Sequence, residues 1–222
     1  MQFLYHPLAG EQQVLIQNEQ YTHLYKSRRT KQNQTLTLRN LRDPYLYLYE
    51  QALIERRSAT LLLKDKILSS QIPKKQNHII LSMIDFKVLQ KTLPFLNEFG
   101  LSKLTLFYAD FSQRNEKIDL EKLQKILIHS CEQCGRSNLL EIELCKNLSE
   151  VLQNYPQIGS FNFGGEKLKT PINFPILIGP EGGFSPKEQE LLKPFPTFST
   201  EENLILRSES ACVYVASLLQ AL

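Results

Sequence analysis

"ILIGPEGGFSPKE", residues 176–188, joins an apolar run to a helix start through a glycine-rich turn. Three short apolar residues before the turn read as a buried strand. Ser185, Pro186 and Glu188 after it read as an N-cap, an N1 proline and an N3 acid, which is a capping box. Strand, glycine turn and helix in that order fit an α/β domain. Turns of this kind often hold phosphates, but this one does not have the right residues. A phosphate loop needs G-x-x-x-x-G-K-[ST], and no Lys and Ser/Thr pair follows Gly179 at that spacing. A dinucleotide fingerprint needs G-x-G-x-x-G, and Gly179, Gly182 and Gly183 fail it. Glu181 sits inside the turn, where it would repel an anion. Gly182 and Gly183 can take φ > 0 and let a ligand approach bare main chain. The turn suits a cationic or neutral hydrogen-bonding ligand, or simply a tight strand-to-helix connection.

Working outward, strand and helix patterns alternate over the C-terminal two thirds. "HIILSMI", "SKLTLFYA", "IGSFNFGG", "FPILIG" and "FPTFST" read as short strands. "FKVLQKTLPFLNEFG" and "IDLEKLQKILIHSCEQCG" read as amphipathic helices closing at Gly100 and Gly135, with a kink expected at Pro94. "LSEVLQNYP" is a shorter helix, and "SESACVYVASLLQAL" is a helix apolar enough to be buried. This alternation predicts a parallel sheet flanked by helices over residues 73–222. "SQIPKKQN" (70–77) is polar with one proline and reads as a linker.

Residues 1–72 have a different grammar. "TLTLRN", "PYLYLYEQALIE" and "ATLLLKDKIL" are strand patterns, and "NEQYTHLYKSRR" is one short helix with Asn18 as its expected N-cap. A small β-barrel or barrel-like module follows. The stripe Tyr45, Tyr47 and Tyr49 could stack on bases, but both faces of that strand are apolar and core packing is expected. Charge separates the same two parts. Residues 1–75 hold 12 Lys+Arg against 6 Asp+Glu, a balance of +6; residues 76–222 hold 14 against 17, a balance of −3. The basic excess sits in the first third, as a polyanion-binding segment requires, or a merely solvated basic face.

No basic-then-apolar leader opens the chain and no apolar run approaches a membrane span, so a cytoplasmic setting is expected. Cys131, Cys134, Cys145 and Cys212 lack zinc-finger spacing, and the four histidines show no metal spacing, so no metal site is expected.

"IGPEGGFSPKE" followed by "NLILRSESACVYVASLLQAL" resembles the bacterial small-subunit 16S rRNA uridine-N3 methyltransferases, of the SPOUT superfamily of knotted enzymes. "YTHLYKSRR", "KVLQKTLPFLNEFGLSKL" and "EQCGR" are similar to further stretches of that family, in the same order. The resemblance implies an N-terminal PUA-like RNA-binding β-barrel (1–72) and a C-terminal domain with a trefoil knot (73–222). It implies a homodimer that binds S-adenosylmethionine. The cofactor residues it implies here are Ile178, Gly179, Pro180, Glu181, Gly182, Gly183, Leu204, Ile205 and Leu206, with Phe163 from a third loop. For the chemistry of uridine-N3 methylation, Arg207 is the candidate for stabilising the uridine oxyanion or orienting the base, or it holds a phosphate or a buried carboxylate; Glu209 is the candidate for proton acceptance or cofactor orientation, or a stabilising first-turn helix acid. Arg28, Arg29, Lys31 and Arg136 are the candidate contacts to 16S rRNA of the small ribosomal subunit. The family's usual Leu-Gly-x-Arg before Ile-Leu-Arg is replaced by Glu201-Glu202-Asn203-Leu204, which bears on the loop's shape and on cofactor affinity. Two other readings share the fold: a non-catalytic RNA-binding or ribosome-assembly protein, and a knotted enzyme with a different RNA target.

Overall fold

The computed structural model describes residues 2–112, 118–169, 171–200 and 205–222. The chain divides into two units, residues 1–72 with 128–139, and residues 73–127 with 140–222.

The first unit is built on one five-stranded sheet. Its strands are β1 (Leu4–Tyr5), β2 (Gln13–Gln17), β3 (Leu36–Arg39), β4 (Tyr45–Ile54) and β5 (Ser58–Leu68), in the order β1–β3–β4–β5–β2. β1 pairs parallel to β3, and the other neighbours pair antiparallel. This is the barrel-like module expected from the sequence. β4 and β5 are bulged where the register shifts at Leu48/Tyr49 and at Gln51/Leu53. Tyr49 is fully buried, and its hydroxyl donates to Glu11 O at 2.7 Å and accepts from Gly10 N at 2.9 Å. Tyr47 is also buried, donating to Asp43 Oδ2 at 2.8 Å. Both tyrosines are core residues with their polar tips satisfied, as buried tyrosines require.

One helical stretch crosses this unit, and it differs from the expected helix. α1 (Asn18–Tyr21) runs into a π-helix over Thr22–Ser27. Asn18 is not the N-cap: Gln17 holds that place, and Asn18 itself lies at φ +56° with no side-chain cap bond. Asparagine is one of the few residues that tolerates this left-handed conformation. Residues 128–139 group with the first unit because Gln2 N and Tyr5 N both donate to Glu132, each at 2.7 Å, and Gln71 and Ser137 exchange hydrogen bonds. Cys131 also packs in a buried cluster with Phe3 and Leu41.

The second unit is a parallel sheet. Its strands are β6 (His78–Ser82), β7 (Lys103–Phe107), β8 (Glu141–Cys145), β9 (Gly159–Lys167), β10 (Ile176–Ile178) and β11 (Thr197–Ser199). Their order is β11–β9–β10–β6–β7–β8. Ile79, Ile80 and Leu81 of β6 are all fully buried, the continuous apolar run of a strand covered on both faces. The helices are α2 (Phe86–Glu98, with Pro94 inside), α3 (Leu120–Cys134, of which residues 128–134 belong to the first unit), α4 (Leu148–Asn154), α5 (Pro186–Leu192) and α6 (Ser208–Ala221). α2 buries Leu89, Leu93 and Leu96, one face at helical spacing. α6 packs against α2, β6 and β10 through Ala211, Cys212, Val215, Ala216 and Leu219.

The order positions the site. From β6 the chain steps outward to β7 and β8, returns across the sheet to β9, and inserts β10 between β9 and β6. The direction of winding therefore reverses between β6 and β10, and ligands of open parallel sheets bind at the carboxyl ends of strands at such a point. The glycine turn leaves β10 there. Residues 201–204, between β11 and α6, lie outside the described residues.

Candidate functional site

The turn begins at Gly179, where only glycine fits. A Cβ there would lie 2.8 Å from the ring of Phe184, which is itself buried in the core beside Ile80 and Leu177. Pro180 to Gly183 close a tight turn, with Gly183 N donating to Pro180 O at 2.9 Å. Gly183 has φ +73°, and among the described residues no atom beyond its chain neighbours lies within 4 Å of where its Cβ would be. Glycine is therefore required there by backbone conformation, and the space above it is open among the described residues. Glu181, Gly182 and Gly183 are exposed, so their main chain faces outward.

The helix behind the turn holds it rigid. The capping box is present: Ser185 N donates to Glu188 Oε2 at 2.9 Å and Glu188 N to Ser185 Oγ at 3.3 Å. Buried Glu188 also accepts from Asp110 N at 3.0 Å, and Ser185 Oγ donates to Asp110 Oδ2 at 2.6 Å. These bonds tie the turn to the loop after β7, whose exposed Phe111 places its Cβ 3.3 Å from where a Cβ on Gly182 would be.

α6 starts against the same turn. Buried Ser208 donates from Oγ to Gly179 O at 2.8 Å, joining two motifs 29 residues apart. Arg207 precedes the helix in extended conformation with its side chain 80% exposed. Its Nη1 lies 4.0 Å from Glu209 Oε1, while Glu209 Oε2 is buried with no hydrogen-bond partner among the described residues. Ser82 Oγ, at the carboxyl end of β6, is likewise buried and unpartnered. Its neighbour Leu81 pairs with Ile178, so Ser82 ends beside the start of the turn. Buried polar atoms without partners are uncommon and call for an explanation.

The bond from Ser208 thus brings Ile178–Gly183 together with Arg207 and Glu209. Phe163 extends β9 beyond Phe161, the partner of Ile178, and is 66% exposed. Ile205 is 80% exposed and Leu206 half-buried. Leu204 lies outside the described residues, as do Glu201, Glu202 and Asn203. Arg28, Arg29 and Lys31 are all exposed in the first unit, with Arg29 at φ +53°. Arg136 is different: it is 5% exposed, and its Nε donates to Asn138 Oδ1 at 3.1 Å. Its guanidinium faces the interior, and burial lowers its pKa. Among the described residues no cluster of His, Cys, Asp or Glu could hold a metal ion, and no helix is long and apolar enough to cross a membrane. Ser208, Ser82 and the Glu188–Asp110 pair are participants that sequence reasoning missed. Each acts through a tertiary contact, and only the Glu188 cap carried a local signal.

Chemically, the site offers bare main chain, exposed apolar side chains and an acceptor with spare capacity. Main-chain groups can bind a heteroaromatic ring edge or hydroxyls, and the carboxylates at positions 181 and 209 suit a cationic ligand better than a phosphate. These residues fit a sulfonium nucleoside such as S-adenosylmethionine.

Comparison with known proteins agrees with this geometry. Residues 71–220 match the model of an RNA methyltransferase domain family. The ribosomal RNA small subunit methyltransferase E of Helicobacter pylori strain 26695 is 52% identical over 225 residues, covering 99% of this chain and 100% of the relative. The Mesomycoplasma hyopneumoniae protein of the same name is 30% identical and covers 68% of this chain and 72% of the relative. Two solved structures share the fold over both units' sequence. A Legionella pneumophila protein in complex with bound S-adenosylmethionine has a TM-score of 0.83 at 23% identity, covering 99% of this chain and 97% of the other. The Neisseria gonorrhoeae ribosomal RNA small subunit methyltransferase E, bound to S-adenosyl methionine, has a TM-score of 0.82 at 20% identity, covering 100% and 97%. With a family model over most of the chain and a full-length relative at half identity, the chain belongs to the ribosomal RNA small subunit methyltransferase E family.

Proposed function

We propose that this protein transfers a methyl group from S-adenosylmethionine to N3 of a uridine in 16S rRNA of the small ribosomal subunit. The observation that carries the reading is the Ser208 Oγ to Gly179 O bond, which makes one site from the glycine turn and the Ile-Leu-Arg segment. The names of the relatives and the cofactor in the solved neighbours support it.

The main chain of Ile178–Gly183 and of Leu204–Leu206 holds the cofactor, with Phe163 against it. When bound, the cofactor supplies an electrophilic methyl group on a sulfonium. The protein's own residues deal with the nucleobase. N3 lies on the pairing edge, so the uridine is taken out of any pair before reaction. Uridine N3 is a nucleophile only as its proton leaves, and a positioned acceptor accelerates that step. Glu209 Oε2 is that acceptor, buried and carrying no competing bond among the described residues. Arg207, exposed and 4.0 Å from Glu209, presents guanidinium donors to the negative charge that develops on the uracil oxygens. The family's RNA platform is residues 1–72, where Arg28, Arg29 and Lys31 contact phosphates. Residues 73–222 are the catalytic domain. Exposed Phe163 and Ile205 are covered by cofactor or by a second copy in a homodimer, and the enzyme works in the cytoplasm.

Calorimetry of the full chain with S-adenosylmethionine tests the assignment. Binding in the micromolar range is expected. No heat at millimolar cofactor would favour a non-catalytic RNA-binding protein on this fold.

A further inference from the structure

We infer that the first unit contains a second nucleotide site, a pocket that takes one extruded base of the RNA at a position other than the methylated uridine. This rests on the rRNA substrate proposed above. A cavity of about 360 Å³ opens between the π-helix and β3. That volume lies at the small end of the range for small-ligand pockets, roughly 300–1,000 Å³, enough for one nucleotide. Its floor is apolar: Phe3 is 2% exposed, Leu24 2% and Leu36 7%. Its rim is polar: Arg28, Gln34 and Thr35 are exposed and line the mouth. Among the described residues none of the three has a side-chain hydrogen bond or ion pair, although Gln34 O accepts from Gln51 Nε2 at 2.6 Å. An apolar floor under a rim of uncommitted donors and acceptors is the complement of a heteroaromatic base with a hydrogen-bonding edge.

Charge selects the class of ligand. Residues 26–31, "KSRRTK", carry four cations and no acid, and Lys26, Arg28, Arg29 and Lys31 are all exposed. A polyanion is drawn to this edge, and a base from it can then be taken into the pocket.

The backbone around the pocket is irregular in two ways. Arg28 N donates to His23 O at 3.0 Å, the i→i−5 bond of the π-helix, and Arg29 follows at φ +53°. The chain then returns, with Thr30 N and Oγ1 both donating to Leu24 O, at 3.1 and 2.9 Å. π-Helical turns and non-glycine residues at positive φ are costly and concentrate at functional sites. Here the irregularity shapes the wall on which Arg28 sits.

The test uses the full chain, an RNA fragment of the small subunit containing the methylated uridine, and a scrambled RNA of equal length, over a range of salt. The double variant Gln34→Ala/Thr35→Ala is on the exposed rim and leaves the floor intact. It is expected to weaken binding of the cognate fragment about tenfold, the scale of a lost base contact. Scrambled-RNA affinity and the salt slope are expected to stay as in wild type. Arg28→Ala is expected to weaken both RNAs and to flatten the salt slope by about 1. In methyl transfer, the double variant should raise KM for the RNA with kcat unchanged. An unchanged ratio of cognate to scrambled affinity in the double variant would overturn the inference. So would equal losses on both RNAs with a flatter slope, which would mean phosphate contact alone. If wild type transfers no methyl group, the proposed function fails instead, and the affinity ratio still decides the pocket.

Discussion

Replacing Gly183 with valine separates the role of the glycine turn in binding from its role in folding. Gly183 lies at φ +73°, where a β-branched side chain is strained, and among the described residues its Cβ would meet no atom beyond its chain neighbours within 4 Å. The cost to the fold is therefore backbone strain without a clash, about 1–3 kcal/mol. For a chain of this length that lowers Tm by roughly 2–12 °C. The valine methyl groups, however, occupy the open space above the exposed main chain, where the cofactor is proposed to lie. Gly100 is the matched control, with the same φ of +73° at the end of α2 and only ordinary contacts at 3.6 and 3.7 Å to Pro73. Gly100→Ala should lower Tm by a similar few degrees with cofactor affinity unchanged. Gly183→Val should lose at least 100-fold in affinity for S-adenosylmethionine by calorimetry while remaining folded by circular dichroism. Wild-type affinity in Gly183→Val would refute the placement of the cofactor on this turn.

Reversing Arg28 and Arg29 together to Glu should weaken RNA binding by tenfold or more at fixed low salt, leaving affinity for free S-adenosylmethionine unchanged; unaltered RNA affinity in filter binding would remove residues 26–31 from the interface. A pH effect is expected at the other end of the parallel sheet. His78 opens β6, its Nε2 is 2.9 Å from Thr105 Oγ1, and its ring meets Tyr155 edge-on. Burial, and then the charge of Lys103, push its pKa from 6.5 down to about 4, against the opposing pull of Glu143 and Glu141. Folding thus binds fewer protons than unfolding below pH 6.5, so stability is held above that value and falls as pH drops toward 4, by up to about 3 kcal/mol. His78→Gln should flatten that dependence in urea denaturation between pH 6.5 and 4, and an unchanged slope would show that other groups carry it.

Signals confined to a few neighbouring residues were readable before the structure, and signals made across the chain were not. Ser185-Pro186-x-Glu188 announced its capping box because all three partners lie within one turn. α6 was recognisable as buried because its apolar residues leave little polar face. "QVLIQ" and "EIELC" do not stand out as strands, although the second alternates polar and apolar as β8 requires, because five residues are a weak pattern. The π-helix has no periodicity of its own in six residues, so residues 18–29 read as one ordinary helix with Asn18 as cap. Arg136 sits in a stretch that reads as surface, and its burial depends on contacts with the first unit made by residues 128–139. In the site, the two motifs could be named separately, but the Ser208–Gly179 bond that joins them, and the Glu209 and Ser82 oxygens without partners among the described residues, arise from contacts made across the chain.

Incubating the purified protein with small-subunit rRNA or whole small subunits and methyl-labelled S-adenosylmethionine, then digesting the RNA to nucleosides for mass spectrometry, tests the central claim most directly. The label is predicted to appear in 3-methyluridine, once per RNA. No label in the RNA, or label on a ribose or on another base, would contradict it.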